Sequence, residues 1–433
     1  MPDSAAWLLL DGAHIAQSPY APPLVLAGGE GSVVWDVDGR RFLDFESGQF
    51  CMSTGHAHPR VAEAISAQAR QLMQIGNRFT SPLRIELAQR LAALSPDPLS
   101  MCLFGSTGSE ANEIALRLAK RLTGRFEIVA LERGYHGRTL ASFGLSSSTR
   151  RMRRDYGPMA TGAILIPTPY PYRCRFGCNR ACSLACFEQA VETIDRASSG
   201  APAAVIVEFV LGAGGIIPVP ANWARALRDF CTERDVLLIA DEALTGIGRT
   251  GRWFAFEHTG VIPDLVVTSK ALGGGIPISA VLAPSALARE ALASGFLQAA
   301  SHQGDPFQCA VALANMDVIE DEDLLRRATA IGKLLGRRLS ELERDFEIVG
   351  QVRGVGALWG IEIIRDADSR AEAPELAAAV TVEAMRRGLI VGGLRPGIRE
   401  ANVLRLAPPL VIGEEEAESA VSVLVEALTA VGP

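Results

Sequence analysis

Leu265-Val266-Val267-Thr268-Ser269-Lys270-Ala271-Leu272-Gly273-Gly274-Gly275-Ile276-Pro277 decides the fold. The run Leu265 to Thr268 reads as a buried strand, with a lysine at its carboxyl end and three glycines just beyond. In open α/β sheets ligands bind at the carboxyl ends of strands. Glycine allows a close backbone approach there. A lysine in that place reads as an amine nucleophile, of the kind that forms Schiff bases with carbonyl cofactors. Of the 42 basic residues only Lys120, Lys270 and Lys333 are lysines. Lys120 and Lys333 sit among other charges in helical patterns and read as solvated positions, so Lys270 is the chemical candidate.

Working outward, short apolar runs recur at Met101–Phe104, Glu127–Leu131, Ala163–Ile166, Ala203–Glu208, Val236–Ala240 and Ser279–Ala283. Amphipathic stretches such as Ser109–Leu122, Leu184–Ala197 and Asn222–Glu233 lie between them. Strand and helix in alternation predict an α/β fold with a doubly wound, mainly parallel sheet. That large domain is expected over residues 59–325. Residues 326–433 predict a smaller α+β domain: helix Asp323–Arg344 leads into it, then strand Ala357–Ile364, helix Pro374–Arg387, a strand near Val403–Leu406 and a helix after Gly413. Residues 1–58 predict an arm that packs on the smaller domain. Its runs Val33–Asp36 and Arg41–Asp44 flank Val37-Asp38-Gly39-Arg40, a hairpin signal.

Composition narrows the function. The 433 residues are 48% hydrophobic, too apolar for a disordered chain. With 42 basic against 49 acidic residues and no dense basic block, nucleic acid is not an expected partner. No run approaches the ~18 apolar residues of a membrane span. Met1–Leu10 holds neither Arg nor Lys, unlike a signal peptide. A cytoplasmic protein without membrane partners is expected, its eight cysteines reduced. Four of those, Cys174, Cys178, Cys182 and Cys186, recur every fourth residue. They read as a compact thiol-rich loop at a subunit interface, or as four thiolates for zinc or an iron–sulfur cluster.

Two further motifs carry chemistry. Asp241-Glu242 ends the run Val236–Ala240, and a carboxylate beside a buried strand should meet a cation. A protonated pyridine nitrogen is such a cation in pyridoxal phosphate chemistry. Gly105-Ser106-Thr107-Gly108-Ser109-Glu110 joins a strand to a helix, and a helix N-terminus suits a phosphate. His56, His58 and His136 read as turn packing and capping residues rather than metal ligands.

Together with Gly55-His56-Ala57-His58-Pro59, Tyr135-His136-Gly137-Arg138-Thr139 and Gly248-Arg249-Thr250-Gly251, these motifs resemble the class III aminotransferases, pyridoxal-phosphate enzymes of fold type I. Within that family, Ser47-Gly48-Gln49, Gly214-Gly215-Ile216-Ile217 and Leu404-Arg405-Leu406-Ala407-Pro408-Pro409 are most similar to the 2,2-dialkylglycine decarboxylase branch. The resemblance implies that Lys270 holds pyridoxal 5'-phosphate covalently and moves a proton, and that Asp241 meets the ring nitrogen. It implies Thr107, Gly108 and Ser109 at the phosphate, with Tyr135 and Ala243 on the two ring faces. Ser301 would reach the phosphate of a neighbouring subunit, so a homodimer is implied. Arg405 would bind a substrate carboxylate with Gln49 near it. Arg138 and Glu208 match the residues that handle a second carboxylate in ordinary aminotransferases. Asp305, Asn77 and Ser301 match positions where the decarboxylases hold an alkali metal ion.

Departures from the family pattern leave the reaction open. Leu244 stands where the family has Gln beside the ring hydroxyl, and Tyr135 and Arg138 stand where the decarboxylase has Trp and Met. The substrates implied are a small amino acid and a keto acid. Arg405 with Gln49 could hold the carboxylate perpendicular to the ring, giving decarboxylation-dependent transamination. Arg405 alone could leave the Cα–H bond there, giving plain transamination or, alternatively, racemisation. A cofactor-binding scaffold without turnover is the third outcome, prompted by Leu244.

Overall fold

Every residue of Glu127–Leu131, Leu265–Thr268 and Ser279–Pro284 is buried, which is how strands stand when both sheet faces are covered. The computed structural model of the chain describes residues 3–16, 24–148, 153–160, 162–178, 181–392 and 402–432. Two compact units emerge, one of residues 60–322 and one combining 1–59 with 323–433.

In the unit 60–322, seven strands form one sheet. Their order is Leu99–Gly105, Ser279–Pro284, Leu265–Thr268, Leu237–Glu242, Pro202–Val207, Glu127–Leu131, Ala163–Ile166. Ser279–Pro284 runs antiparallel to both neighbours and the other pairings are parallel. Only residues 269–278 join it to the preceding strand, too short a link for the crossover a parallel neighbour requires. The fold is the mainly parallel α/β architecture the alternation predicts.

Helix Gly108–Thr123 shows how the sheet is covered. Ala111, Ile114, Ala115, Leu118 and Ala119 are buried at helical spacing. Thr107 caps the start, its hydroxyl accepting from the N–H of Glu110 at 3.2 Å. Gly124 ends the helix at φ +66°, a conformation glycine adopts without a steric penalty. Burying a side chain the size of Ile114 contributes about 2–3 kcal/mol. The same helix carries its first turn to the carboxyl ends of the strands.

The other unit holds the hairpin Val33–Asp36 and Arg41–Phe45 between Leu26–Glu30 and Leu389–Val391. Asp36 accepts from the N–H groups of Asp38 and Arg40 at 3.0 and 2.9 Å, which closes the turn. Leu389–Val391 lies parallel to Arg41–Phe45, Leu389 opposite Leu43. A second sheet pairs Val349–Val355, Leu358–Ile363 and Val403–Leu406, all antiparallel. Helices Leu324–Asp345, Pro374–Arg386 and Glu414–Val431 supply Leu335, Leu339, Val380 and Leu424 to a core shared with Ile361 and Leu404. Strand Val349–Val355 is absent from the sequence expectation. Gly350, Gln351, Arg353 and Gly354 break its apolar alternation. Its place is held by packing, since a Cβ on Gly354 would come within 2.6 Å of the Trp359 ring.

Candidate active site

Strand register brings the two chemical motifs to one edge. Asp241 pairs with Val267 and Glu242 with Thr268, so Lys270 follows directly on the strand beside Asp241, at the same carboxyl end. Lys270 opens a short 3-10 turn with φ +40°, a strained value for a residue with a Cβ. Asn315 donates to the carbonyl of Ala271 at 2.7 Å and stands against Gly274, which pins that turn from below.

Helix Gly108–Thr123 arrives at the same edge. A Cβ on Gly108 would lie 3.2 Å from the Ala243 Cβ and 3.7 Å from the Ser269 Cβ, so the helix start sits on both strand ends. The first N–H groups of a helix have no intrahelical acceptor and suit an anion. Ser109 offers its hydroxyl to the N–H of Arg138 at 3.2 Å. Gly137 is obligatory beside it, since a Cβ there would fall 2.5 Å from the Ser109 hydroxyl.

Asp241 is buried and doubly held. Asn112 donates to its Oδ2 at 2.8 Å, His136 donates from Nδ1 to the same oxygen at 2.8 Å, and the N–H of Ala243 reaches Oδ1 at 3.1 Å. Burial alone would push the Asp241 carboxyl up. The His136 bond and charge, with Asn112 and Ala243, outweigh it and hold the carboxyl below its ordinary range. Burial likewise favours neutral His136, but Asp241 and then Glu208 raise its pKa above the ordinary value. His136 is the functional residue that the sequence reading missed, as it assigned this histidine to turn packing. The signal available was its place beside Tyr135. Its Nε2, the Oδ1 of Asn112 and the hydroxyl of Thr268 are buried without hydrogen-bond partners among the described residues. A fixed anion, spare polar atoms and a helix start together fit a phosphorylated pyridine.

Glu208 accepts from the N–H of Tyr135 at 2.8 Å and from the N–H of Gly212 at 3.0 Å. Burial pushes its carboxyl up to about 7, with Asp241 adding to the rise against the partial relief of His136 and the two N–H bonds. Burial also pushes Glu242 up to about 7, although Thr245 and the N–H groups of Ala255 and Phe256 bond it. Glu242 thus organises the loop after its strand, and its acceptors are filled by N–H groups and a hydroxyl where the sequence argument expected a cation. Folded-state pKa values above the unfolded 4.5 mean that the native chain holds extra protons near neutrality. Stability is then fully present below the unfolded value and falls as pH rises through about 7, by up to ~3 kcal/mol per group. His136 has the same sign. The urea midpoint of the apoprotein is expected to drop between pH 5.5 and 8.5, less so in Glu208→Gln. A midpoint that rose over that interval would contradict these assignments.

Leu244 is buried against Gly212, where an added Cβ would stand 2.4 Å from Leu244 Cδ1. Gly212→Ala is expected to destabilise by about 1–3 kcal/mol through overpacking. Adding Leu244→Ala should return most of that, because the two changes share one contact. Equal unfolding midpoints for Gly212→Ala with and without the second change would show that Leu244 is not the obstacle.

In the unit formed by 1–59 and 323–433, Arg405 lies on strand Val403–Leu406, its guanidinium 5.1 Å from the Phe50 ring centre. Backbone bonds of 2.8 and 2.9 Å tie it to Gly392. Ser47, Gly48, Gln49 and Phe50 all have positive φ, between +48° and +69°. Three of the four carry side chains, and each such residue costs about 1–2 kcal/mol. Asp44 sustains the turn by accepting from the N–H groups of Glu46, Ser47 and Gly48 at 2.9–3.1 Å and from His56 at 2.8 Å. Gln49 is exposed and donates to Glu46 at 3.3 Å.

Four remaining candidates are surface-facing or otherwise engaged. Arg138 and Ser301 are exposed, and the Ser301 carbonyl accepts from Gln74 at 2.8 Å. Asp305 caps helix Pro306–Asp321 and accepts from His302 at 2.7 Å and from the N–H of Ile75 at 3.4 Å. Its carboxylate thus carries two protein donors, and Asn77 is exposed.

The model of the class III aminotransferases matches residues 15–428. A probable 4-aminobutyrate aminotransferase of Bacillus subtilis is 36% identical over 93% of the chain and 92% of its own length. An alanine/serine racemase of Pyrococcus horikoshii is 34% identical over 94% and 86%. Among solved structures, an amine transaminase from an uncultivated Pseudomonas species in its pyridoxal-phosphate-bound form has a TM-score of 0.90 at 32% identity, over 97% of this chain and 98% of that one.

Proposed function

The chain belongs to the class III aminotransferase family, with pyridoxal 5'-phosphate as its cofactor, and from that premise we propose that it transfers the amino group of a small α-amino acid to an α-keto acid. The observation that carries this reading is the buried Asp241 anion, fixed by His136 and Asn112 on the strand next to Lys270. When bound, the cofactor supplies a carbonyl for amines and a ring that accepts electrons from a bond at Cα.

The chain's own residues supply the rest. Lys270 is the amine that holds the cofactor and the base that moves a proton at Cα. Asp241 keeps a proton on the ring nitrogen, and His136 keeps Asp241 charged. Thr107, Gly108 and Ser109 take the phosphate at the helix start, with Tyr135 and Ala243 beside the ring. Arg405 receives the substrate carboxylate over Phe50, and Gln49 belongs to the same strained turn. Glu208, with Arg138, belongs to the face that tells one substrate side chain from another. No helix among the described residues is long and apolar enough to cross a membrane.

The working unit we propose is a homodimer with Ser301 serving the neighbouring site. Phe79, Leu140 and Leu297 are 64%, 77% and 73% exposed in the single chain, which supports a partner surface on this unit. Sedimentation at micromolar concentration should give twice the chain mass. A monomer that turns over would remove Ser301 from the site.

Substrate class is tested by mixing holoenzyme with 2-aminoisobutyrate, L-alanine or L-glutamate in a single turnover while trapping CO₂. Loss of the cofactor's visible absorbance with L-alanine or L-glutamate, without CO₂, is the expected result. Stoichiometric CO₂ from 2-aminoisobutyrate, which has no Cα–H, would assign the decarboxylating reaction and a carboxylate-orienting role to Gln49. The racemase relative motivates one more arm: inversion of L-alanine with no keto acid formed would overturn amino transfer.

A further inference from the structure

Beyond the strand Ala163–Ile166 the chain makes the short turn Pro171–Arg173 and then presents Cys174, Cys178, Cys182 and Cys186 before and within the start of helix Ala185–Ala197. All four are reduced. The Cys182 and Cys186 sulfurs are 3.8 Å apart. Cys174 and Cys186 also line one cavity. Among the described residues no three of these sulfurs are gathered round one point. Residues 179–180, between the second and third cysteines, lie outside the described residues.

From this clustering we infer that the four cysteines are the ligands of a structural zinc ion. A tetrahedral centre with zinc–sulfur bonds of about 2.3 Å has sulfur–sulfur edges of about 3.8 Å, the spacing that Cys182 and Cys186 already show. Cys174 and Cys178 would have to move in to complete the set.

The surroundings are those of a bound thiolate group. The N–H of Ser183 donates to the Cys178 sulfur at 3.3 Å, and the Ser183 hydroxyl lies 3.2 Å from it. Such bonds orient metal-bound thiolates. Asn222 donates to the Cys182 carbonyl at 2.9 Å and fixes that backbone. Binding would release four thiol protons to solvent and leave a centre of net charge −2. Arg133, Arg173 and Arg175 line the same cavity, as does Glu132, which pairs with Arg175 at 2.6 Å.

The site is independent of the amino-transfer chemistry, so its test uses the intact holoenzyme and reads metal. Protein purified under reducing conditions from zinc-supplemented cells should contain about one zinc per chain by mass spectrometric elemental analysis. The variant Cys174→Ser/Cys178→Ser/Cys182→Ser/Cys186→Ser should contain none and keep its bound cofactor. Should that variant not fold, wild-type holoenzyme reloaded with cobalt(II) decides. The difference spectrum between cobalt- and zinc-loaded forms cancels the cofactor and should show intense thiolate-to-cobalt bands. Metal-free protein that gives no such bands overturns the assignment. So does iron with acid-labile sulfide, which would make the site a cluster. Two disulfides among the four cysteines under the same reducing conditions would overturn it as well.

Discussion

Lys270→Ala is expected to bind the cofactor without a covalent bond and to turn over about 10⁴-fold more slowly, the upper end of what one positioned acid–base group contributes. Borohydride reduction followed by intact-mass measurement should add the cofactor to the wild-type chain and nothing to the variant. Lys120→Ala and Lys333→Ala should behave as wild type in both assays. The backbone provides a folding control. Lys270 sits at φ +40°, which glycine tolerates and alanine does not, so Lys270→Gly should be the more stable variant by about 1 kcal/mol and equally inactive. Covalent label and turnover persisting in Lys270→Ala would end the assignment of this residue.

Asp241→Asn has the second largest expected effect, because it removes the carboxylate charge that His136 and Asn112 hold on the strand next to Lys270. Turnover should fall about 10³-fold, within the range of a misplaced acid–base partner. His136 would then lose its counter-ion inside the protein, and stranding one half of a buried pair costs about 3–5 kcal/mol. His136→Asn should recover part of that loss when added to Asp241→Asn, a coupling that a double-mutant cycle on unfolding midpoints measures. An Asp241→Asn enzyme within about threefold of wild-type kcat/KM would mean that the carboxylate is structural.

Much of the sheet was legible because buried parallel strands are apolar throughout. Glu127–Leu131, Ala163–Ile166 and Leu265–Thr268 begin and end where the apolar runs do. Pattern failed where burial comes from one close contact, as at Val349–Val355, whose glycines admit Trp359. Lys270 and Asp241 were legible for a different reason: each stands at the end of a recognisable strand, and that position has a chemical meaning of its own. His136 and Asn112 carry no such local mark. They meet Asp241 from 105 and 129 residues away, a proximity that only the completed sheet creates. The left-handed turn Ser47–Phe50 was hidden likewise. Only Gly48 among its residues is a conventional left-handed residue, and the carboxylate of Asp44 enforces the rest.

The parallel pairing of Leu389–Val391 with Arg41–Phe45 also sets a schedule for the newborn chain. About 340 residues separate the two strands. At the usual ~5–20 residues per second, a ribosome needs about 20–70 s to deliver the second after the first. Throughout that interval the hairpin must wait with one edge bare, and residues 60–322 are made and able to fold before that edge is covered. The hairpin is thus made before residues 60–322 and completed after them. Its exposed edge is where a holding chaperone would act, and the part of the molecule most exposed to misassembly when synthesis outruns folding.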